Sequence, residues 1–191
     1  MRILLCIAST REVNEAKIAT ELRNGSEFVF RYTGVGVKNL RAIKDEIFTG
    51  NYDLVINAGV AGILNDSFQI FDVVVPYRYI FTFGGKVREL QFPSPGVKKW
   101  KAGCIVTTTR PIANECERQN LWERLGADIV DMESYYLADL TRKKGIPFHS
   151  IKVLTDRANS TAAVDCFRNL KRAREILSDT IPIFINAIDA I

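Results

Sequence analysis

One histidine, two methionines, two tryptophans and four cysteines are all that the 191 residues contain of those types. A single histidine excludes His-x-x-x-His metal sites, and any Ser–His or Cys–His nucleophile would depend on His149 alone. His149 lies in the alternating run Phe148-His149-Ser150-Ile151-Lys152-Val153, where a structural histidine is the expectation. Catalysis, if present, must then rest mainly on carboxylates. The cysteines, at 6, 104, 116 and 166, form no C-x-x-C pair, which argues against a disulfide framework and a structural zinc. Cys6 and Cys104 sit in apolar runs and read as small buried hydrophobes.

Nowhere do 18 apolar residues follow one another, so no transmembrane helix is expected. The opening MRILLCIAST lacks an A-x-A cleavage pattern, which points to a reduced, cytoplasmic protein with no membrane partner. There is also no polybasic tail. The 26 basic and 22 acidic residues leave a net charge of +4. Basic residues cluster only briefly, at 98–101, 142–144 and 171–174, so nucleic acid is not an expected partner. No G-x-x-x-x-G-K-[ST] loop occurs. Gly34-Val35-Gly36 is followed by Asn39 where the dinucleotide fingerprint needs its third glycine. No cofactor and no metal are therefore expected.

The composition, 47% hydrophobic and 25% charged, is that of a globular protein, and the length suits one domain over 1–191. Apolar runs of strand length alternate with segments of helical period. Arg2 to Ala8 reads as a strand, followed by a helical pattern from Val13 to Leu22 ended by Asn24-Gly25. A strand over 27–32, a helix ending at Gly50 and a buried strand over 53–58 come next, before a glycine-rich loop at 59–62. Phe71 to Phe81 reads as a long strand that Phe83-Gly84-Gly85-Lys86 turns back into Val87 to Phe92. Further strands are expected at 103–108, 128–130 and 147–154, with helices at 114–125, 132–144 and from Cys166 onward, the last broken or kinked at Pro182. Apolar strands alternating with helices predict an α/β fold, a three-layer α/β/α arrangement around a mixed, mostly parallel sheet. Tyr77, Tyr79, Phe81, Phe83 and Phe92 concentrate aromatic area in one hairpin and suggest a homo-oligomer, most simply a dimer.

Ligands of such sheets bind beyond the carboxyl ends of the strands, where the sequence places Glu12, Glu133 and Asp156. Each has a local alternative. Ser9-Thr10-Arg11-Glu12 is a capping box, Asp131 can cap a helix that Glu133 then merely suits, and Asp156 can make an Asx turn. Together they argue for convergence on one crevice.

These residues resemble the nucleoside phosphorylase and nucleosidase superfamily, in particular its methylthioadenosine/S-adenosylhomocysteine nucleosidases and futalosine hydrolases. The likeness takes in Glu12-Val13, Thr33-Gly34-Val35-Gly36-Val37-Lys38-Asn39, Asn57-Ala58-Gly59-Val60-Ala61-Gly62, Phe83-Gly84, Asp131-Met132-Glu133-Ser134 and Val153-Leu154-Thr155-Asp156. The resemblance implies that Asp156 donates a proton or hydrogen bond to a leaving base and that Glu12 activates water. It implies further that Glu133 binds ribose hydroxyls, that Met132 packs on the sugar, and that Gly59 and Ile112 line the substrate. Thr107 to Ile112 lacks the Ser-Gly-Asp pattern of the methylthioadenosine enzymes, and Asn57 to Gly62 is closer to futalosine hydrolases, whose substrate carries a carboxylate for which Arg110 is a candidate partner. Arg11 and Arg110, both just beyond strand ends, are the candidate anion ligands. The expected activity is hydrolysis of the N-glycosidic bond of a purine nucleoside. The alternatives are a phosphorylase and a nucleoside-binding protein without turnover.

Overall fold

The computed structural model describes residues 1–22 and 26–188. The expected helix stop at Asn24-Gly25 lies outside them. Strands β1 (Arg2–Ile7), β2 (Glu27–Tyr32), β3 (Leu54–Ile63), β4 (Val73–Phe83), β5 (Lys86–Gln91), β6 (Lys101–Thr107), β7 (Ile129–Asp131) and β8 (Phe148–Asp156) form one eight-stranded sheet. Helices α1 (Glu15–Glu21), α2 (Arg41–Thr49), α3 (Glu115–Leu125), α4 (Ser134–Lys144) and α5 (Ala162–Ile188) cover it.

Alternation along β1 sorts the layers. Ile3, Leu5 and Ile7 face one side and pack with Ala173, Leu177, Ile181 and Phe184 of α5, whereas Leu4 and Cys6 face the other with Ile43 and Ile47 of α2 and Leu137 of α4. Both faces are covered, so the central strands are apolar throughout, as the sequence predicts. Parallel pairings dominate: β1 with β2 and β3, β3 with β8, β4 with β6, and β6 with β7. The sheet also closes on itself. β8 pairs antiparallel with β4, and the last residues of β3 pair antiparallel with β7, so β3, β8, β4, β6 and β7 form a ring.

Four local expectations are corrected. Gly59 to Gly62 is strand, continuous with β3, because the glycines there make room for side chains rather than for a turn. The long strand begins at Val73, not Phe71, since Phe71 holds a positive φ of 72°. Helix α5 starts at Ala162 and is unbroken through Pro182; Leu177, Ile181, Phe184 and Ile185 bury its face on both sides of the proline. The hairpin aromatics do not form one surface. Tyr79 is buried edge-on against Phe92 and Phe148 at 5.7 and 5.3 Å, and Phe81 packs on Tyr136 at 4.9 Å, which leaves Tyr77 and Phe83 exposed. Among the described residues, no helix is long and apolar enough to cross a membrane.

Candidate active site

At the carboxyl ends of β1, β7 and β8, and along the second half of β3, lies a cavity of about 410 Å3, a volume typical of small-molecule sites. Glu12, Glu133 and Asp156 all line it, and each arrives by a different local device.

Glu12 sits in the turn after β1, where its amide donates to the Ser9 carbonyl at 3.0 Å. The capping box does not form. Helix α1 begins three residues later, with Asn14 as its N-cap accepting from the Lys17 amide at 3.3 Å. Glu12 is thereby released to reach β3, where its Oε2 accepts from the Val60 amide at 3.3 Å. A Cβ at Gly59 would stand 2.6 Å from that oxygen, which is why glycine occupies the strand there.

Glu133 lies between β7 and α4. Its Oε1 accepts from the Gly36 amide, presented by a loop in which Gly34 and Gly36 hold positive φ values of 74° and 84°. Asn39 fixes the same loop by donating from Nδ2 to the Val35 carbonyl at 2.8 Å. The asparagine that spoils a dinucleotide fingerprint thus shapes a carboxylate-binding turn. Met132 and Val35 line the cavity beside it.

Asp156 ends β8. The pairing of β3 with β8 slips between Ala61 and Gly62, so Leu154 opposes Ala61 and Asp156 opposes Gly62. Such a bulge re-aims the side chain that follows it. The Asx turn does form, with the Ala158 amide donating to Oδ1 at 2.9 Å, while Thr155 Oγ1 donates to Oδ2 at 3.0 Å. Gly62 leaves room for the carboxyl group, because a Cβ there would meet Oδ1 at 2.8 Å. Turn and site residue are one and the same.

A polar network underlies the cavity floor. Asp131 accepts from Thr107 Oγ1 at 2.8 Å and caps α4 through the Ser134 amide at 3.1 Å. Ser134 Oγ donates to Asn57 Oδ1 at 2.8 Å, and Lys152 Nζ lies 2.9 Å from Asp131 Oδ2. Both carboxyl oxygens of Asp131 are engaged by buried partners, which holds the side chain rigid.

Burial dominates the electrostatics. It pushes Glu12 up to about 7, opposed by Lys152 and reinforced by Glu133. It pushes Glu133 up to about 7 as well, reinforced by Asp131 and opposed by Lys152. Burial also raises Asp156 above the ordinary carboxylate range, against the pull of the Ala158 amide and the Thr155 hydroxyl. Buried carboxyl groups perturbed in this way, facing one cavity, are a signature of acid–base chemistry.

Of the other residues singled out in the sequence, Gly59, Met132, Ile112 and Arg11 line the same cavity. Arg110 does not. It is exposed in a neighbouring groove, bidentate to Glu117 at 3.0 Å, so that its charge is already engaged. His149 packs edge-on against Phe184 away from the cavity, and burial lowers it to about 4. Sequence reasoning overlooked Lys152, whose one signal was a lysine in the middle of an apolar strand. Among the described residues, no group of three or more His, Cys, Asp or Glu side chains could hold a metal ion.

Residues 86–182 match the family model described as the phosphorylase superfamily. A 5'-methylthioadenosine/S-adenosylhomocysteine nucleosidase from Staphylococcus aureus is 24% identical over 92% of this chain and 89% of its own length. The fold superimposes on native futalosine hydrolase of Helicobacter pylori with a TM-score of 0.83 at 14% identity, covering all of this chain and 97% of that one. It also superimposes on the 5'-methylthioadenosine/S-adenosylhomocysteine nucleosidase of H. pylori with butyl-thio-DADMe-Immucillin-A, with a TM-score of 0.84 at 14% identity over 97% and 98% of the two chains.

Proposed function

This chain belongs to the phosphorylase superfamily, and from that premise we propose that it is a nucleosidase, hydrolysing the N-glycosidic bond of a purine nucleoside in the cavity described above. The observation that carries this reading is the convergence of Glu12, Glu133 and Asp156 on one cavity at the carboxyl ends of three strands. Cleavage of that bond develops negative charge on the base and positive charge on the sugar. An acid at one end and fixed anions at the other therefore favour the transition state over the ground state. Asp156, raised by burial above the ordinary carboxylate range, is the acid that faces the base. Glu12, at about 7, is poised to take a proton from water near neutrality. Glu133, tied to the Gly36 amide, accepts hydrogen bonds from the ribose, and Met132 supplies an apolar surface for it.

Water suits this site better than phosphate. Glu12, Glu133 and Asp131 surround one buried cation, Lys152, and a phosphate dianion would face that excess of negative charge. Arg110, engaged by Glu117, is not positioned to offset it, which leaves Arg11, in the cavity lining, as the arginine candidate for an anion. The S. aureus relative and the H. pylori structures support a methylthioadenosine, S-adenosylhomocysteine or futalosine type of nucleoside. Incubation with each of these, and with adenosine and inosine, should release free base in phosphate-free buffer. Strict dependence on phosphate, with a sugar 1-phosphate as product, would make the enzyme a phosphorylase, and no release from any of them would leave a binding protein.

Two finer points belong to the same reading. Phe83, 64% exposed, and Val87 at the tip of the β4–β5 hairpin support a homodimer, which light scattering at micromolar concentration tests. The four free cysteines, two of them buried, support a reducing cytoplasmic setting.

A further inference from the structure

Helix α5 covers one side of the sheet, and Ala173, Leu177, Ile181 and Phe184 pack it against Ile3, Leu5 and Ile7 of β1, so that it cannot slide without disturbing the core. It does more than cover. Two of its polar side chains donate to carbonyls of other elements, and each carbonyl belongs to the residue next in sequence to a carboxylate of the cavity.

At one end the partner is Thr155. The slip between Ala61 and Gly62 leaves Thr155 without a counterpart in the register of β3, as the extra residue of a bulge is left. Thr155 is fully buried, and its hydroxyl donates to Asp156 Oδ2. Asn169 Nδ2 donates to the Thr155 carbonyl at 2.8 Å, which fixes the residue that the strand pairing leaves loose. Asparagine is a weak helix former, so its place inside α5 is not explained by the helix itself. At the other end the partner is Val13, next to Glu12. Arg174 Nε donates to the Val13 carbonyl at 2.9 Å, and the following amide, that of Asn14, donates to Ser178 Oγ at 2.8 Å. Ser178 Oγ donates in turn to the Arg174 carbonyl at 2.7 Å, so the peptide between Val13 and Asn14 is gripped by one turn of α5.

We infer that α5 sets Asp156 against Glu12: Asn169 is a positioning residue for Asp156 and Arg174 for Glu12, so that a single helix fixes the separation of the two carboxyl groups across the substrate. This rests on the hydrolytic reading above. Neither side chain lines the cavity, so each acts through the residue that it holds. Five residues along a helix span about 7.5 Å, a distance that its own hydrogen bonds keep constant.

The test follows base release by the full chain and by N169A, R174M and R168A, together with amide exchange by NMR. Two amides report the carboxylates directly. Ala158 donates to Asp156 Oδ1, and Val60, past the last pairing of β1 with β3 at Ala58, donates to Glu12 Oε2. N169A should speed exchange at Ala158, and R174M at Val60, by about threefold or more. Each should lower kcat about tenfold to a hundredfold with KM within about threefold. R168A, exposed on the same helix, should change neither. Because Asn169 acts through Thr155, the N169A/T155V double variant should lose about as much kcat as the worse single variant, whereas independent losses multiply. Should N169A or R174M not fold, N169S or R174L carries the same expectations. Wild-type kcat, unchanged exchange, losses that multiply, or a response at one carboxylate alone would overturn the proposal. If the wild-type protein releases no base, the hydrolytic reading fails, and exchange at Ala158 and Val60 alone decides whether α5 holds the two carboxyl groups.

Discussion

Adding one methyl group to Gly59 should separate the stability of this protein from its turnover. In Gly59→Ala the new Cβ would stand 2.6 Å from Glu12 Oε2, while Glu12 Cδ and Lys152 Nζ, at 3.7 Å, are at ordinary contact. The clash is therefore with the far end of a flexible side chain, and no backbone has to shift. The carboxylate must retreat by about 0.8 Å to restore van der Waals contact, stretching its bond to the Val60 amide. A displacement on the order of 1 Å in a reacting group costs about 10²-fold in rate, so kcat should fall between about tenfold and a hundredfold. Stability should hold or improve slightly, because alanine in a strand loses less backbone entropy than glycine by about 0.5–1 kcal/mol. Base release followed by chromatography gives kcat, and thermal melting gives the control. Wild-type kcat in a variant with an unchanged melting temperature would mean that Glu12 does not act from the position described.

Three further outcomes are expected. Asp156→Asn keeps the shape and the Ala158 bond but cannot pass a proton to the base, so kcat should fall at least about 10²-fold with the fold intact by circular dichroism. Glu12→Gln should abolish turnover and raise the melting temperature at pH 8. The folded-state value of Glu12, about 7, lies above the ordinary 4.5, so the folded protein binds more protons in that window and loses stability as pH rises through it, a loss that glutamine removes. Arg110→Ala should leave kcat/KM within about twofold for every nucleoside cleaved, since Arg110 is bound to Glu117 outside the cavity; a selective loss for a carboxylate-bearing nucleoside would show that Glu117 releases it.

The alternation of strands and helices was legible because hydrophobic period is local, and the site was legible in outline because strand ends converge in this class of fold. Glu12, Glu133 and Asp156 could be placed together on that ground alone. What escaped depended on partners distant in the chain. Gly59 and Gly62 carry the signal of a turn, yet they are glycines because Glu12 and Asp156 lie against them. Ser9 to Glu12 spells a capping box, and the local signal lost to Asn14, which starts the helix later. Lys152 drew no notice in the sequence, because the buried partner that gives it a role, Asp131, is supplied by β7. Pro182 carries the signal of a break or kink in α5, and the apolar stripe on either side of it holds the helix together.

The ring of strands has a consequence for the order in which this protein comes into being. β3 and β8 lie side by side, with Val55 against Phe148, although nearly half of the chain is synthesised between them. Partners so remote are slow to find each other, because the intervening chain must give up its freedom before the contact is made. A nascent chain lacking β8 has made Glu12 and Glu133 but neither Asp156 nor the lysine that completes the cavity floor. The carboxylates, which would repel one another if crowded early, are brought face to face only when the ring shuts, in the same step that supplies their counter-charge. Assembly and the onset of activity are then a single event, and a ribosome-bound fragment should be inert.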